Sequence, residues 1–417
     1  MHLRTPHLIG TSALLALLTS SAIAGESDTP IANDKNPIST APAAPTPTDF
    51  EHSDSVSQYL LGPNIWDSTY DAIEQWKKDN HIPITIGGNS WWHIDRNEHI
   101  YGDGYGVPHE RGTYYYFVDA DPSYKFEPGA FVQEIGIHAE WRARDSDDHI
   151  RAFYLTNEWF YNAYAYAKTA WGDFKAGLIT TDIGIPWDGT WWEGVPYFDG
   201  YKFDPAWGVT WQKPWKVNDT FHIDTDAQFY FIDGGINGSE PGADVLSVPG
   251  ARERNTGVLR VVPTWELAKD TTLAVGASGL VGGITGGSAY GLSSTREAWD
   301  AEATLTVKNW SIFGEVLRGY GVVNPANYVS GGPSDRVSSA RGGIAYKYGP
   351  ITWHVNYSYG WDQNPSGHQF VFDPGATIQL TKNITFYAEY VKWNVTNAQG
   401  VSSKYDDGFE LILVWKL

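Results

Sequence analysis

From Tyr405 to Leu417 the chain alternates strictly enough to fix its local state. Phe409, Leu411, Leu413, Trp415 and Leu417 fall on one face of an extended strand. Gly408, Glu410 and Lys416 fall on the other, with Ile412 and Val414 between them. Successive side chains point to opposite sides of a strand, so one face is apolar throughout and the other carries charge. A soluble sheet seldom leaves such an edge uncovered. A closed barrel bathed in lipid needs it, because hydrocarbon offers the backbone no hydrogen-bond partner and the outward band must be apolar.

The same period of two starts near Ile82 and persists. It predicts an all-β chain of sixteen strands, with eighteen as the alternative count, at 82–95, 131–143, 149–155, 157–168, 171–181, 203–213, 219–232, 254–266, 271–281, 297–308, 310–320, 336–347, 350–361, 368–380, 383–394 and 405–417. Most approach the ~9–11 residues with which a tilted strand crosses a bilayer. Short connections (144–148, 169–170, 214–218, 267–270, 309, 348–349, 381–382) alternate with mostly longer ones (96–130, 182–202, 233–253, 282–296, 321–335, 362–367, 395–404). Short turns at one end and long loops at the other describe a transmembrane antiparallel β-barrel. An even strand count puts both termini at the short-turn end.

Residues 1–24 read as a signal peptide: Arg4, the apolar run Ala13–Leu18, and the small-residue site Ala22-Ile23-Ala24. Residues 25–50, with prolines at 30, 37, 42, 45 and 47, read as a disordered periplasmic linker. Residues 51–81 read as a periplasmic helical segment, its helix at Trp66–Asn80 capped by Asp67, and 82–417 as the barrel. The chain has no cysteine, so disulfides are excluded. Its formal charge of −20 argues against nucleic acid and against an anion-tuned pore, and favours neutral or cationic solutes.

Several strands sort cleanly by face. Phe221, Ile223, Ala227, Phe229 and Phe231 oppose His222, Asp224, Asp226 and Gln228. Trp299, Ala301, Ala303, Leu305 and Val307 oppose Asp300, Glu302, Thr304, Thr306 and Lys308. Trp353, Val355 and Tyr357 oppose His354, Asn356 and Ser358, and Phe386, Ala388 and Tyr390 oppose Thr385, Tyr387 and Glu389. A face this consistently polar must line water, which makes the interior a channel. The expected lumen wall carries Glu134, Glu140, Asp224, Asp226, Glu302, Glu315, Glu389 and Glu410 against Arg142, Arg260, Lys308, Arg341 and Lys347. Strand-end aromatics (Trp91, Trp92, Trp141, Trp171, Trp265, Trp310, Trp361, Trp393, Trp415) are expected to form interfacial girdles.

The connection 182–202 departs from that pattern, being dense in aromatics and acids together. An exposed loop gains nothing from Trp187, Trp191, Trp192 and Tyr197 unless they pack. Folded into the lumen, these rings with Asp188, Glu193 and Asp199 would form a pore constriction suited to sugars: rings stack on C–H faces while carboxylates accept hydroxyl hydrogen bonds. Capping the barrel or packing against a neighbouring protomer are the other readings.

A loop between the fifth and sixth strands that enters the lumen resembles the constriction loop of general Gram-negative porins. The stretch Glu158–Leu178, with its tight turn into Gly172-Asp173-Phe174-Lys175-Ala176-Gly177, resembles a hairpin of substrate-selective porins. Trp66 followed by Gly87-Gly88 and Trp91 is similar to the N-terminal region of carbohydrate-selective porins. The chain is thus identified as resembling an outer-membrane porin of the carbohydrate-selective or phosphate-selective type. It departs from that family at its last residue, Leu417 where Phe is usual. The resemblance implies a Gram-negative outer-membrane location among lipid and lipopolysaccharide, and insertion by the barrel-assembly machinery through the C-terminal strand. It further implies passive diffusion of a small hydrophilic solute, carbohydrate or cation ahead of anion, without cofactor, metal or catalysis; monomer and homotrimer both stay open, and for a trimer Ala163, Ala165 and Ala167 could seat a flat protomer contact. Two rivals stay open. One is an outer-membrane β-barrel enzyme acting on lipids, for which His138, His222, His354 and Ser358 are the candidate groups. The other is a secreted β-rich glycan-binding protein. His93, Asp95, Glu98 and His99 match no metal-site spacing.

Overall fold

The computed structural model describes residues 50–61, 71–72, 75–76, 79, 84–85, 89–100, 109–146, 158–181, 183–185, 205–233, 252–285, 294–321, 336–362, 368–396 and 402–416. The expected signal peptide, the expected linker up to residue 49, and most of loop 182–202 lie outside them. The strands are β1 (Ile84–Thr85), β2 (Asn89–Ile100), β3 (His109–Ala120), β4 (Ser123–Lys125), β5 (Val132–Ser146), β6 (Glu158–Thr169), β7 (Gly172–Thr180), β8 (Pro205–Asn218) and β9 (Phe221–Asp233). They continue as β10 (Arg252–Ala268), β11 (Thr271–Thr285), β12 (Thr295–Val307), β13 (Trp310–Tyr320), β14 (Arg336–Tyr348), β15 (Ile351–Asp362), β16 (His368–Thr381), β17 (Ile384–Thr396) and β18 (Ser402–Lys416).

Every long strand pairs antiparallel with its neighbour in sequence, β3 pairing directly with β5 past the three-residue β4. The last strand then returns to the first, with Lys416 opposite Asn89 and Gly408 opposite Asn97. Sixteen long strands among the described residues therefore form a ring without a free edge. The eighteen-strand alternative is met only by the short β1 and β4, which pair with each other beside that ring.

The expected count of sixteen is right, but one long strand was not expected. The stretch 96–130, read as one long loop, contains β3. The expected strand at 149–155 lies outside the described residues, and β5 pairs directly with β6. The segment 82–95 divides into β1 and the later-starting β2. The cause is visible in β3: polar side chains occupy its first three positions and aromatics its middle from Tyr114 to Phe117, so no apolar-polar alternation marks it.

Burial alternates as the faces predict. Along β12 even-numbered Arg296, Ala298, Asp300 and Glu302 are buried, while Glu297, Trp299, Ala301 and Ala303 are exposed. On β15 His354 and Ser358 are buried, and Trp353, Val355 and Tyr357 face out. On β18 Phe409, Leu411 and Leu413 face out, paired with outward Tyr390, Ala388 and Phe386 of β17. Only an apolar solvent tolerates that many exposed large side chains in a continuous band.

Six connections are two-residue turns, and three of them use the left-handed backbone at Asp270, Lys308 and Gly349. Aromatics gather outward at that end of the ring. Trp171 meets Phe131 edge-on at 5.2 Å, Phe221 stacks on Trp265 at 5.2 Å, and Trp310 packs on Tyr346 at 4.5 Å. They form one interfacial girdle. The side chains of Trp91, Trp92 and Trp393 lie outside the described residues.

In the helical segment, described residues 71, 72, 75, 76 and 79 are helical, with Gln75 Nε2 donating to Asp79 Oδ1 at 2.7 Å. A second helix, Val56–Leu61, precedes the expected one.

The outward assignment predicts an asymmetry in stability. Val316→Arg, on the lipid face of β13, should cost about 2–4 kcal/mol near the bilayer midplane. Gln212→Arg, inward and beside Asp226, should change stability by less than about 1 kcal/mol. Denaturant midpoints in phospholipid vesicles check this, and equal losses would reverse the face assignment.

Candidate functional site: the loop root and the lumen wall

The chain leaves β7 at Thr180 and turns into the ring. Ile183 is fully buried in an apolar cluster with Ile179, Ala206, Tyr230, Val258, Leu280, Ile284, Ala298 and Leu317. Most of these are inward residues of β8 to β13, so part of the inner wall is greasy and is covered by this segment. The peptide beyond Ile183 then bonds to strands far from its own. Gly184 N donates to Ser278 Oγ on β11 at 2.9 Å, and Ile185 N donates to Glu315 Oε1 on β13 at 3.0 Å. Arg341 of β14 returns a bond from its guanidinium to the Ile185 carbonyl at 3.1 Å. The root of loop 182–202 thus lies inside the ring, fastened to the wall of β11–β14.

The wall there is built from charges in register. Glu302 stands directly opposite Glu315, and Glu315 opposite Arg341. Like charges facing each other across a ladder repel. Arginines on both flanks offset this: Arg260 pairs with Glu302 at 2.5 Å, and Arg341 pairs with Glu315. Arginine suits the task because its guanidinium stays charged and offers a planar fork. One strand-turn higher, fully buried Arg296 pairs with Glu253 at 2.6 Å, and Thr256 donates to the same Glu253 at 2.5 Å. Asp300, Glu302 and Glu315 bring carboxylate oxygens within 4.8 Å of one another, a donor set of the kind that can hold a cation. Arg260 and Arg341 already supply countercharge to two of the three.

Further polar contacts line the remaining strands of the ring. On β5 and β6 Glu140 accepts from Arg142 at 2.6 Å and from Asn162 at 2.9 Å, and Glu134 accepts from Tyr166 at 3.0 Å and Lys168 at 3.1 Å. Tyr166 can lie across the wall because position 136 is glycine, where a Cβ would come within 2.4 Å of the ring. His138 stacks on Tyr164 at 4.8 Å and bonds Asp121 at 2.6 Å. On β8 and β9 Asp226 accepts from Gln212 and Gln228, at 3.0 and 2.9 Å, and Asp224 lies 3.5 Å from His222. On β15 and β17 buried His354 lies 3.3 Å from Glu389.

Of the expected wall residues, the structure brings Arg260, Glu302, Glu315 and Arg341 together and sets Glu134, Glu140 and Arg142 on β5. Lys347 is exposed at the inward end of β14, opposite Thr352. Lys308 is not on the wall: β12 stops at Val307 and Lys308 enters the left-handed turn, exposed. Glu410 pairs in register with Glu389, and its side chain lies outside the described residues. Trp187, Asp188, Trp191, Trp192, Glu193, Tyr197 and Asp199 also lie outside them. Sequence reasoning missed Glu253, Arg296 and Ser278. Glu253 was concealed by a bulge at 254–257, where Asn255 takes positive φ and shifts the strand's parity. Arg296 had a usable signal, since it shares even parity with Asp300 and Glu302.

Gly184 predicts how the root responds to substitution. Its φ is +74°, and a Cβ there would fall 1.8 Å from Glu315 Oε1. Gly184→Ala should destabilise by about 1–3 kcal/mol and raise protease cleavage within 186–204. Gly257→Ala, where a Cβ meets open space, is the control. Equal behaviour of the two variants would contradict the anchoring.

Neither a protein-family model nor a curated protein matches this sequence. Solved structures do. OmpF of Salmonella typhi, in complex with daunomycin, superposes with a TM-score of 0.56 at 11% identity, over 80% of this chain and 97% of that one. OmpT of Vibrio cholerae, an outer membrane protein in its trimer form, gives 0.52 at 13% identity, over 80% of this chain and 99% of that one. At these identities the likeness establishes architecture, and the chain has the fold of Gram-negative outer-membrane porins.

Proposed function

We propose that this protein is a passive channel of the Gram-negative outer membrane for small hydrophilic solutes, carbohydrates and cations ahead of anions. The observation that carries this reading is the inward root of the loop, tied by Gly184 and Ile185 to Ser278 and Glu315. A segment fastened inside the ring narrows it, and a narrowed polar lumen selects by size and charge. The aromatic and acidic residues that continue the loop, Trp187, Asp188, Trp191, Trp192, Glu193, Tyr197 and Asp199, would then form the constriction. Carboxylates are prominent on the inner wall, with Glu134, Glu140, Asp224, Asp226, Glu315 and Glu389 among them, which supports cation preference.

The lipid-enzyme reading needs a nucleophile and base at the lipid face. His222, His354 and Ser358 sit on inward positions, and His354 lies against Glu389. That arrangement favours transport over catalysis. For the oligomer we infer a homotrimer seated on the outward face of β5–β7, where Ala165 and Ala176 oppose each other between Ala163 and Ala167.

Single-channel recording in planar bilayers tests the reading. Expected are stepwise openings that close in three equal decrements, a reversal potential of cation-selective sign in a salt gradient, and block by added oligosaccharide. Trp191→Ala and Trp192→Ala should weaken that block severalfold. Absence of any conductance would overturn the channel, and unchanged block would remove the loop from the constriction.

A further inference from the structure

The residues preceding the barrel take no part in the channel described above. Helix Val56–Leu61 lies against β16, and Ser55 Oγ caps it by accepting from the Gln58 amide at 3.1 Å. Phe50 ties it down, its ring meeting Tyr59 edge-on at 4.9 Å and Tyr348 at 5.6 Å. Tyr348 closes β14 on the outward face, two residues beyond Tyr346, which packs on Trp310. These are residues of the interfacial girdle. A second tie joins Lys382, in the β16–β17 turn, to Asp71. The segment is therefore held at the level where the barrel passes from hydrocarbon to headgroups. There it presents Leu60, 61% exposed, Leu61, 67% exposed, and Trp76, 58% exposed.

We propose that this N-terminal segment is an interfacial anchor, with Leu60, Leu61 and Trp76 resting in the headgroup region of the periplasmic leaflet. Continuity with the lipid-facing girdle identifies the occupant as a phospholipid surface. Tryptophan suits that depth because its ring is amphipathic. A six-residue helix is too short to hold its form alone in water. Tethered through Phe50 and Asp71, it meets the bilayer at high effective concentration and needs only weak apolar burial. Charge then sets the lipid class. Residues 50–80 carry six carboxylates against two lysines, so an anionic surface repels the segment where a polybasic one would be drawn in. The lipid is zwitterionic.

The absence of cysteine makes the test clean. Leu61→Cys and Gln58→Cys each introduce a single thiol for a nitroxide label in the full chain, reconstituted into phosphatidylcholine vesicles. Heat-modifiable migration on gels certifies that each barrel is folded. At position 61 the label should collide more with oxygen than with a water-soluble nickel chelate, and the ratio should exceed that at 58 severalfold. Adding phosphatidylglycerol should lower it. Nickel access at 61 equal to that at 58 would put the segment in water. Low access to both reagents would mean that protein, a second copy or another part of this chain, covers it. A ratio that rises with phosphatidylglycerol would overturn the charge argument. The first two results reject the anchor and leave the channel reading standing, because neither depends on conductance.

Discussion

A backbone amide stranded in hydrocarbon costs several kcal/mol, and a sheet that crosses lipid has no water with which to relieve the cost. The seam between β18 and β2 satisfies that requirement here, running from Lys416 opposite Asn89 to Gly408 opposite Asn97. With the ring closed, the only freedom left to each residue is the face it occupies. Everything else about this chain follows from that restriction. Outward positions are mostly Phe, Trp, Val, Ile, Leu and Ala, and most of the charges point inward.

Closure also sets a problem that the interior must solve. Sixteen strands enclose more space than their inward side chains fill. The chain partly fills it with its own loop root, seating Ile183 on Val258, Leu280, Ala298 and Leu317 and bonding the next two peptides to Ser278 and Glu315. The buried charges beneath are tolerable only because they are matched. Glu302 faces Glu315 across the ladder, and Arg260 and Arg341 stand on either side. Removing one member of such a set strands its partner, which is typically worth about 3–5 kcal/mol. The network that fastens the loop therefore tolerates loss of a single member poorly.

Much of this was legible in the sequence, and the limits were physical. Strands with one wet and one oily face, such as β12 and β15, declare themselves, and apart from Lys308, which falls in the turn after β12, the inward and outward sets read from them agree with the observed burial. β3 does not, since aromatics run through its centre and suit either face. The loop after β7 nevertheless falls between the fifth and sixth long strands, as its position in the sequence led one to expect. The wall was half readable. Glu302, Glu315, Arg260 and Arg341 follow from parity, whereas Glu253 is turned inward by a bulge whose left-handed Asn255 no alternation could reveal. The greasy seat for Ile183 was hidden for another reason: inward Val258, Leu280 and Leu317 interrupt a polar face, and only the fold shows that a loop covers them.

Every feature above requires one cylinder with lipid outside and water within. β6 offers the most direct measurement, because Asn162, Tyr164 and Tyr166 belong to the inner wall and Ala163, Ala165 and Ala167 to the outer one. Single cysteines placed in turn from 162 to 167, in the full chain in lipid vesicles, can be treated with a small membrane-impermeant thiol reagent. The account predicts reaction at 162, 164 and 166 and protection at 163, 165 and 167. Reaction at all six positions, or at the alanine positions alone, would contradict it.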